Sequence, residues 1–338
     1  MTDERDKLRA DDAHLADGAA IAALPQRTQI AVRGADRASF LHNLCTNDVK
    51  HLTPGSGREA YFTNVQGKTI GHAFLFATAD TNTAVTNTAD EIAIDATPGQ
   101  SATLLPALDR YIIREDVQLL DRTDELAELL FAGPKASRLL AKLFGGQLPQ
   151  QRLDHAAATI AGASVSLRRV DFLAGDCFFL SCPAEQATAL RAALEAAGAK
   201  PIGDDAVDAA RIEQGTPLFG RDITAANLPQ EVARDALAIS FTKGCYLGQE
   251  TVARIDALGH VNRYLVGLRF AGDQTPAPAT ELRIADQAVG QVTSAAFSPR
   301  LHAPLALAYI RRGHHEPGAR LESNAGPAEV VPLPLRHD

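Results

Sequence analysis

The chain has 338 residues, enough for two or three domains. Hydrophobic and charged contents of 46% and 22% are ordinary for a soluble globular protein, and the net charge of −8 argues against non-specific binding to nucleic acid or anionic membranes. Four cysteines (Cys45, Cys177, Cys182, Cys245) lack CxxC or zinc spacing, no apolar run approaches a membrane span, and no leader-like segment opens the chain, so the expectation is a cytoplasmic protein without a metal site.

Met1 to Asp17 is rich in Asp and Arg and reads as a frayed, solvated tail ending near residue 20. Thr28 to Val32 reads as a strand, and Asp36 can cap a helix that runs to Leu44. Leu52-Thr53-Pro54-Gly55 has the order of a type II turn. Ala60 to Asn64 and Thr69 to Thr78 are strands around a turn at Gln66-Gly67, followed by a strand over 84–94. A helix over 101–110 contains Pro106, and 117–120 is again a strand. A similar order then recurs: a strand at 129–132, a helix over 134–144, strands at 165–170 and 177–181, and a helix over 183–197. This predicts two related α+β halves, roughly 21–120 and 121–262. From 263 to 338 only short strands punctuated by Gly and Pro follow, the pattern of a small antiparallel barrel.

Between the second half and the barrel lies the stretch with the densest chemistry. Leu237-Ala238-Ile239-Ser240-Phe241 alternates like a strand with one buried face. Lys243-Gly244-Cys245-Tyr246-Leu247-Gly248-Gln249-Glu250 follows, and Val252 and Ile255 fit the start of a helix. Cys245 beside Lys243 and close to a helix start predicts a stabilised, functional thiolate. The bland alternative is a small buried residue in a tight turn. Arg211 and Glu213 form a second pair. A carboxylate can accept both donors on one edge of a pterin, although an exposed charged pair before a turn also fits. Gln249, Glu250, Arg254 and Arg263 cluster in sequence near Cys245, which makes them site candidates or merely a solvated helix face. His314-His315 has no third ligand at metal spacing.

Lys-Gly-Cys-Tyr-x-Gly-Gln-Glu at 243–250 resembles the signature of the YgfZ-type folate-binding proteins, relatives of the glycine-cleavage T-protein (aminomethyltransferase). Phe40-Leu41, Phe62-x-Asn64, Arg110-Tyr111-Ile112-Ile113-Arg114, Arg211-Ile212-Glu213-x-Gly215, Val289-Gly290 and Ala306-Leu307-Ala308-Tyr309 extend the resemblance over nearly the whole chain. The resemblance implies two ferredoxin-like α+β subdomains and a β-barrel, arranged as a ring around a hole that holds tetrahydrofolate. It implies that Glu213 holds the pterin and that Arg211, Asn64, Asp95, Tyr246, Gln249 and Glu250 line the site. Arg114, Arg254 or Arg263 would meet the glutamate tail. Cys245 and Lys243 would be the functional thiol and its cation. The implied role is an accessory one in building or repairing iron–sulfur clusters in particular enzymes, including tRNA-modifying ones. Its partners would be assembly proteins or client enzymes, with no direct nucleic-acid or membrane contact and a monomeric state. T-proteins carry a catalytic Asp soon after an Asn-Ala pair. Here the matching region reads Ile94-Asp95-Ala96-Thr97-Pro98-Gly99, and no Asp follows nearby. The alternative function is transfer of a one-carbon unit from a small amine to tetrahydrofolate, with Asp95 the candidate base. A third is a scaffold that has lost folate, against which the retained Glu213 stands.

Overall fold

The computed structural model describes residues 2–78 and 90–335. It begins with a helix, α1 (Thr2–Asp17), where the sequence predicted a frayed tail. Contacts with distant parts of the chain hold this polar helix. Leu15 is buried, Asp11 accepts a 2.9 Å hydrogen bond from the Gly203 amide, and Asp12 lies 3.0 Å from the Arg300 guanidinium. The strand β1 (Ala20–Ala23) comes next.

The first half then runs β2 (Thr28–Arg33), α2 (Arg37–Leu44), β3 (Gly57–Thr63), β4 (Thr69–Thr78), β5 (Glu91–Ala96), α3 (Ser101–Asp109) and β6 (Gln118–Asp121). Its strands form a sheet of order β3-β4-β5-β2-β6. The portion of the predicted strand at 84–89 lies outside the described residues. The second half runs β7 (Leu126–Ala132), α4 (Ala136–Phe144), β8 (His155–Ile160), β9 (Ala163–Arg169), β10 (Cys177–Pro183), α5 (Ala187–Ala196), β11 (Lys200–Pro201) and α6 (Asp204–Gln214). Its sheet has the order β11-β1-β7-β10-β9-β8. The N-terminal strand therefore crosses into the second half, pairing antiparallel with β7 and parallel with β11. A boundary at residue 120 does not separate the halves cleanly.

Alternation along β10 explains how the halves meet. Phe178, Leu180 and Cys182 face a core shared with α4 and α5. Cys177 and Phe179 face a second core with Phe74, Phe76 and Ala93 of the first sheet. Both faces of β10 are buried, so it reads as a continuous apolar run. Each buried Phe there stabilises the fold by about 2–3 kcal/mol.

The predicted strand over 237–241 does not form. A single helical turn, α7 (Asp235–Ala238), takes its first two residues, the rest is irregular, and Phe241 is exposed. The alternation had a different cause: Ala238 and Ile239 enter the core between the halves and the barrel, on successive rather than alternate positions. After α8 (Gln249–Leu258) comes the barrel: β12 (Arg263–Phe270), β13 (Glu281–Ile284), β14 (Gln287–Ser298), β15 (Ala303–Arg311), β16 (Arg320–Leu321) and β17 (Ala328–Val331). The order β13-β14-β15-β12-β17-β16 is antiparallel throughout. A backbone exchange between Arg283 and Glu322, at 2.9 and 2.8 Å, nearly closes it. The barrel meets the rest of the chain through α6 on β14 and through the turn at Pro229–Val232 on β12. Among the described residues no helix is long and apolar enough to cross a membrane.

Candidate functional site

Where the two sheets face each other, apolar strands carry charged residues. Arg27 precedes β2, Asp95 lies on β5, Glu128 on β7 and Arg168 on β9, and all four are buried. Arg27 Nε donates to Asp95 Oδ1 at 2.7 Å and lies 2.9 Å from Glu128 Oε2. Arg168 NH1 donates to Asp95 Oδ2 at 2.7 Å and lies 3.3 Å from Glu128 Oε1. Each guanidinium also covers an aromatic ring, Arg27 over Phe179 at 4.8 Å and Arg168 over Phe76 at 4.7 Å. Burial alone would raise the pKa of Asp95, but Arg27 and Arg168 outweigh it, so the carboxyl is held below its ordinary value. Glu128 goes the other way. Burial first, and then the charge of Asp95, push it up to about 8.

A second network lies alongside. Glu59 on β3 accepts from His72 Nε2 at 2.7 Å and from Arg234 at 2.6 and 2.8 Å, and also pairs with Arg152. Burial works against its charge, yet Arg234 holds its pKa well below the ordinary value. Asp171 joins Arg152 at 2.9 Å and Arg234 at 3.3 Å. Between the networks Arg27, His72, Asp95, Thr97, Phe172 and Arg234 line a slot of about 20 Å³. That holds about one water. A larger cavity of about 790 Å³ separates the sheets on the other side of Arg168, with Gln29, His155 and Ser166 in its wall.

Asp95 is therefore no free base. It is fully paired, and its pKa moves away from neutrality. Arg211 proves to be a clamp rather than a ligand-binding cation. It is 1% exposed and reaches Asp222 at 2.9 Å, the Thr216 carbonyl at 3.1 Å and Ser294 of the barrel at 2.8 Å. Glu213, near the end of α6, accepts a 2.6 Å hydrogen bond from Ser298 Oγ and lies 3.7 Å from Arg300. It opens on a cavity of about 40 Å³ with Leu173, Gln214, Arg300 and Leu335.

The stretch 243–250 serves first as a joint. Lys243 Nζ donates to the carbonyls of Cys45 at 2.7 Å and Asn47 at 3.0 Å, and to that of His42, so it caps the C-terminal end of α2. The same ammonium lies 4.8 Å from the Tyr246 ring centre, and burial raises the Tyr246 phenol. Thr63 Oγ1 donates to the Leu247 carbonyl at 2.5 Å. Asn64 accepts the Gln66 and Lys68 amides, both at 3.0 Å, and so shapes the β3–β4 turn. Gly248 has φ of +80°, and a Cβ there would meet the Asn64 carbonyl oxygen at 2.4 Å. Only glycine fits.

Cys245 is the one exposed cysteine; Cys45, Cys177 and Cys182 are buried. The expected support for a thiolate is not arranged as the sequence suggested. Lys243 spends its hydrogen bonds on carbonyls, and α8 starts four residues further on. Cys245 lies on the loop against α2, whereas Glu213 lies under the end of β14, so the two do not share the small cavity beside Glu213. Lys243, Tyr246, Asn64 and half-buried Gln249 come together at the joint, while Glu250 and Arg254 are exposed on α8. Arg114 is exposed on the loop before β6, and Arg263 pairs with Glu231 at 3.0 Å. Sequence reasoning missed Arg27, Glu59, Glu128, Arg168 and Arg234. The readable signal was a charge inside an apolar strand, as in Leu126-Ala127-Glu128-Leu129-Leu130.

The GCVT N-terminal domain family matches residues 3–243, and the glycine cleavage T-protein C-terminal barrel domain matches 263–335. An aminomethyltransferase from Thermus thermophilus is 30% identical over 310 residues, covering 91% of this chain and 84% of the relative. One from Saccharopolyspora erythraea is 28% identical over 319 residues, with the same coverage of 91% and 84%. The crystal structure of aminomethyltransferase T from Bartonella henselae superposes with a TM-score of 0.85 at 20% identity, covering 97% of this chain and 89% of that one. That likeness bears on the fold alone. With both domain families matched in order over nearly the whole chain, this protein belongs to the glycine cleavage T-protein family.

Proposed function

We propose that the chain binds a reduced folate through Glu213 and acts as an accessory factor for iron–sulfur enzymes, without transferring a carbon from an amine. The observation that carries the second clause is the state of Asp95. Its two oxygens are occupied by Arg27 and Arg168, and its pKa is lowered, so it is a poor proton acceptor. The exposed thiol of Cys245 in the 243–250 signature supports the accessory role. For folate to enter beside Glu213, the pterin edge must replace the Ser298 hydroxyl, and Arg300 and Leu335 must draw back from the 40 Å³ cavity.

The second reading is a folate-dependent aminomethyltransferase, and the names of the relatives favour it. The two readings part on one assay. Incubation of the protein with tetrahydrofolate and S-aminomethyl thiol donors, whose carbon is already at the formaldehyde level and which release ammonia and the free thiol, yields methylenetetrahydrofolate only under the second. Activity of an iron–sulfur client enzyme should fall with Cys245→Ala under the first. Full client activity in that variant would remove the thiol from the mechanism.

A further inference from the structure

We propose that Arg263, Tyr309 and Arg311 form a binding site for a small organic oxyanion on the outer face of the barrel. Arg263 on β12 and Arg311 on β15 are direct register partners. Like charges placed opposite each other in a sheet repel, unless something negative lies between or beside them. Arg263 has such a partner in Glu231, at 3.0 Å. Arg311 is exposed, and its guanidinium has no partner among the described residues. Tyr309, two residues before Arg311 on the same face of β15, supports the pair. The Arg263 guanidinium sits 4.9 Å from its ring centre. The ring is only 8% exposed, yet its hydroxyl is buried without a hydrogen-bond partner. A buried hydroxyl left unpaired is costly and calls for an explanation.

These groups line one cavity of about 330 Å³, with Gln291 and Thr293 in its wall. Its donors are the free Arg311 fork and the remaining N–H groups of Arg263, with the Tyr309 ring in the wall and its buried hydroxyl behind. These donors seek an acceptor, and a guanidinium fork matches a carboxylate or phosphate. The one carboxylate on the rim, Glu281, is held by Arg283 at 2.6 Å. The cavity exceeds a bare anion and approaches small-ligand size. The ligand is therefore an anionic head on an organic body, either a phosphoester or a carboxylic acid. The site lies outside the Glu213 cavity and does not rest on the folate reading.

The test titrates the whole protein with inorganic phosphate and, separately, with glutarate, following thermal stability at constant ionic strength made up with chloride. Saturable stabilisation by either probe is expected, and which probe acts names the head group. Arg311→Gln, an exposed position, should weaken it at least tenfold. Arg263→Gln should weaken it several-fold, and Arg320→Gln on β16 should leave it unchanged. No saturable effect beyond chloride, or equal binding in Arg311→Gln, overturns the site. Stabilisation by folinic acid should survive Arg311→Gln. Its loss there would assign these arginines to the folate tail and overturn a separate site.

Discussion

Arg168 on β9 and Asp95 on β5 meet at 2.7 Å and tie the sheet of one half to the sheet of the other. The pair is buried, and the Asp95 carboxylate keeps its charge because Arg27 and Arg168 outweigh the cost of burial. Arg168→Met should cost about 3–5 kcal/mol in urea unfolding, because it leaves the Asp95 carboxylate buried with one counter-ion fewer. The double change Arg168→Met with Asp95→Leu should cost less than the single one. A single variant as stable as the parent would show that the pair does not hold the halves together.

Glu128 gives the protein a pH dependence with a definite sign. Its folded pKa of about 8 stands above the ordinary 4.5, so the folded state keeps a proton that the unfolded chain releases. That contribution is fully present below the unfolded value and is lost as pH rises through the folded one. The urea midpoint should therefore fall between about pH 5 and 8, and Glu128→Gln should flatten the fall. The lowered pKa of Asp95 acts at the acid end instead, where stability is lost as pH drops through it.

Gly248→Ala tests the joint. The new methyl would sit 2.4 Å from the Asn64 carbonyl oxygen, at φ of +80°. A loss of about 1–3 kcal/mol is expected. Faster proteolysis in the 243–250 loop than in the parent should accompany it.

Thiol labelling separates the cysteines. In the native protein Cys245 should react with a disulfide reagent, while Cys45, Cys177 and Cys182 react only on unfolding. Cys245→Ala should change stability by no more than about 0.5 kcal/mol, because the side chain is exposed. A larger loss would mean that the thiol packs.

The barrel and both halves were legible because their strands alternate or run apolar between glycines and prolines, as Thr69–Thr78 and Cys177–Pro183 do. The helix α1 was not, because polar contacts such as Asp12 with Arg300, far apart in sequence, hold it. The 237–241 stretch misled because five residues of alternation suit a strand or a turn of helix leading into a loop. At the site, Glu213 is buried, which does not fit the alternative of an exposed charged pair before a turn. Cys245 is not among the residues around the cavity beside Glu213. As for Arg211, a cation before a turn looks available until the barrel strand that it clamps is in view.

Binding of a reduced folate by the folded chain through Glu213 is the proposal on which the assigned function stands. Thermal unfolding in increasing folinic acid tests it most directly, since a ligand bound only by the folded state stabilises it by about 2.7 kcal/mol at a hundred times its dissociation constant. A saturable rise in Tm that Glu213→Ala abolishes is expected. An unchanged Tm across the titration, or an undiminished rise in that variant, would contradict it.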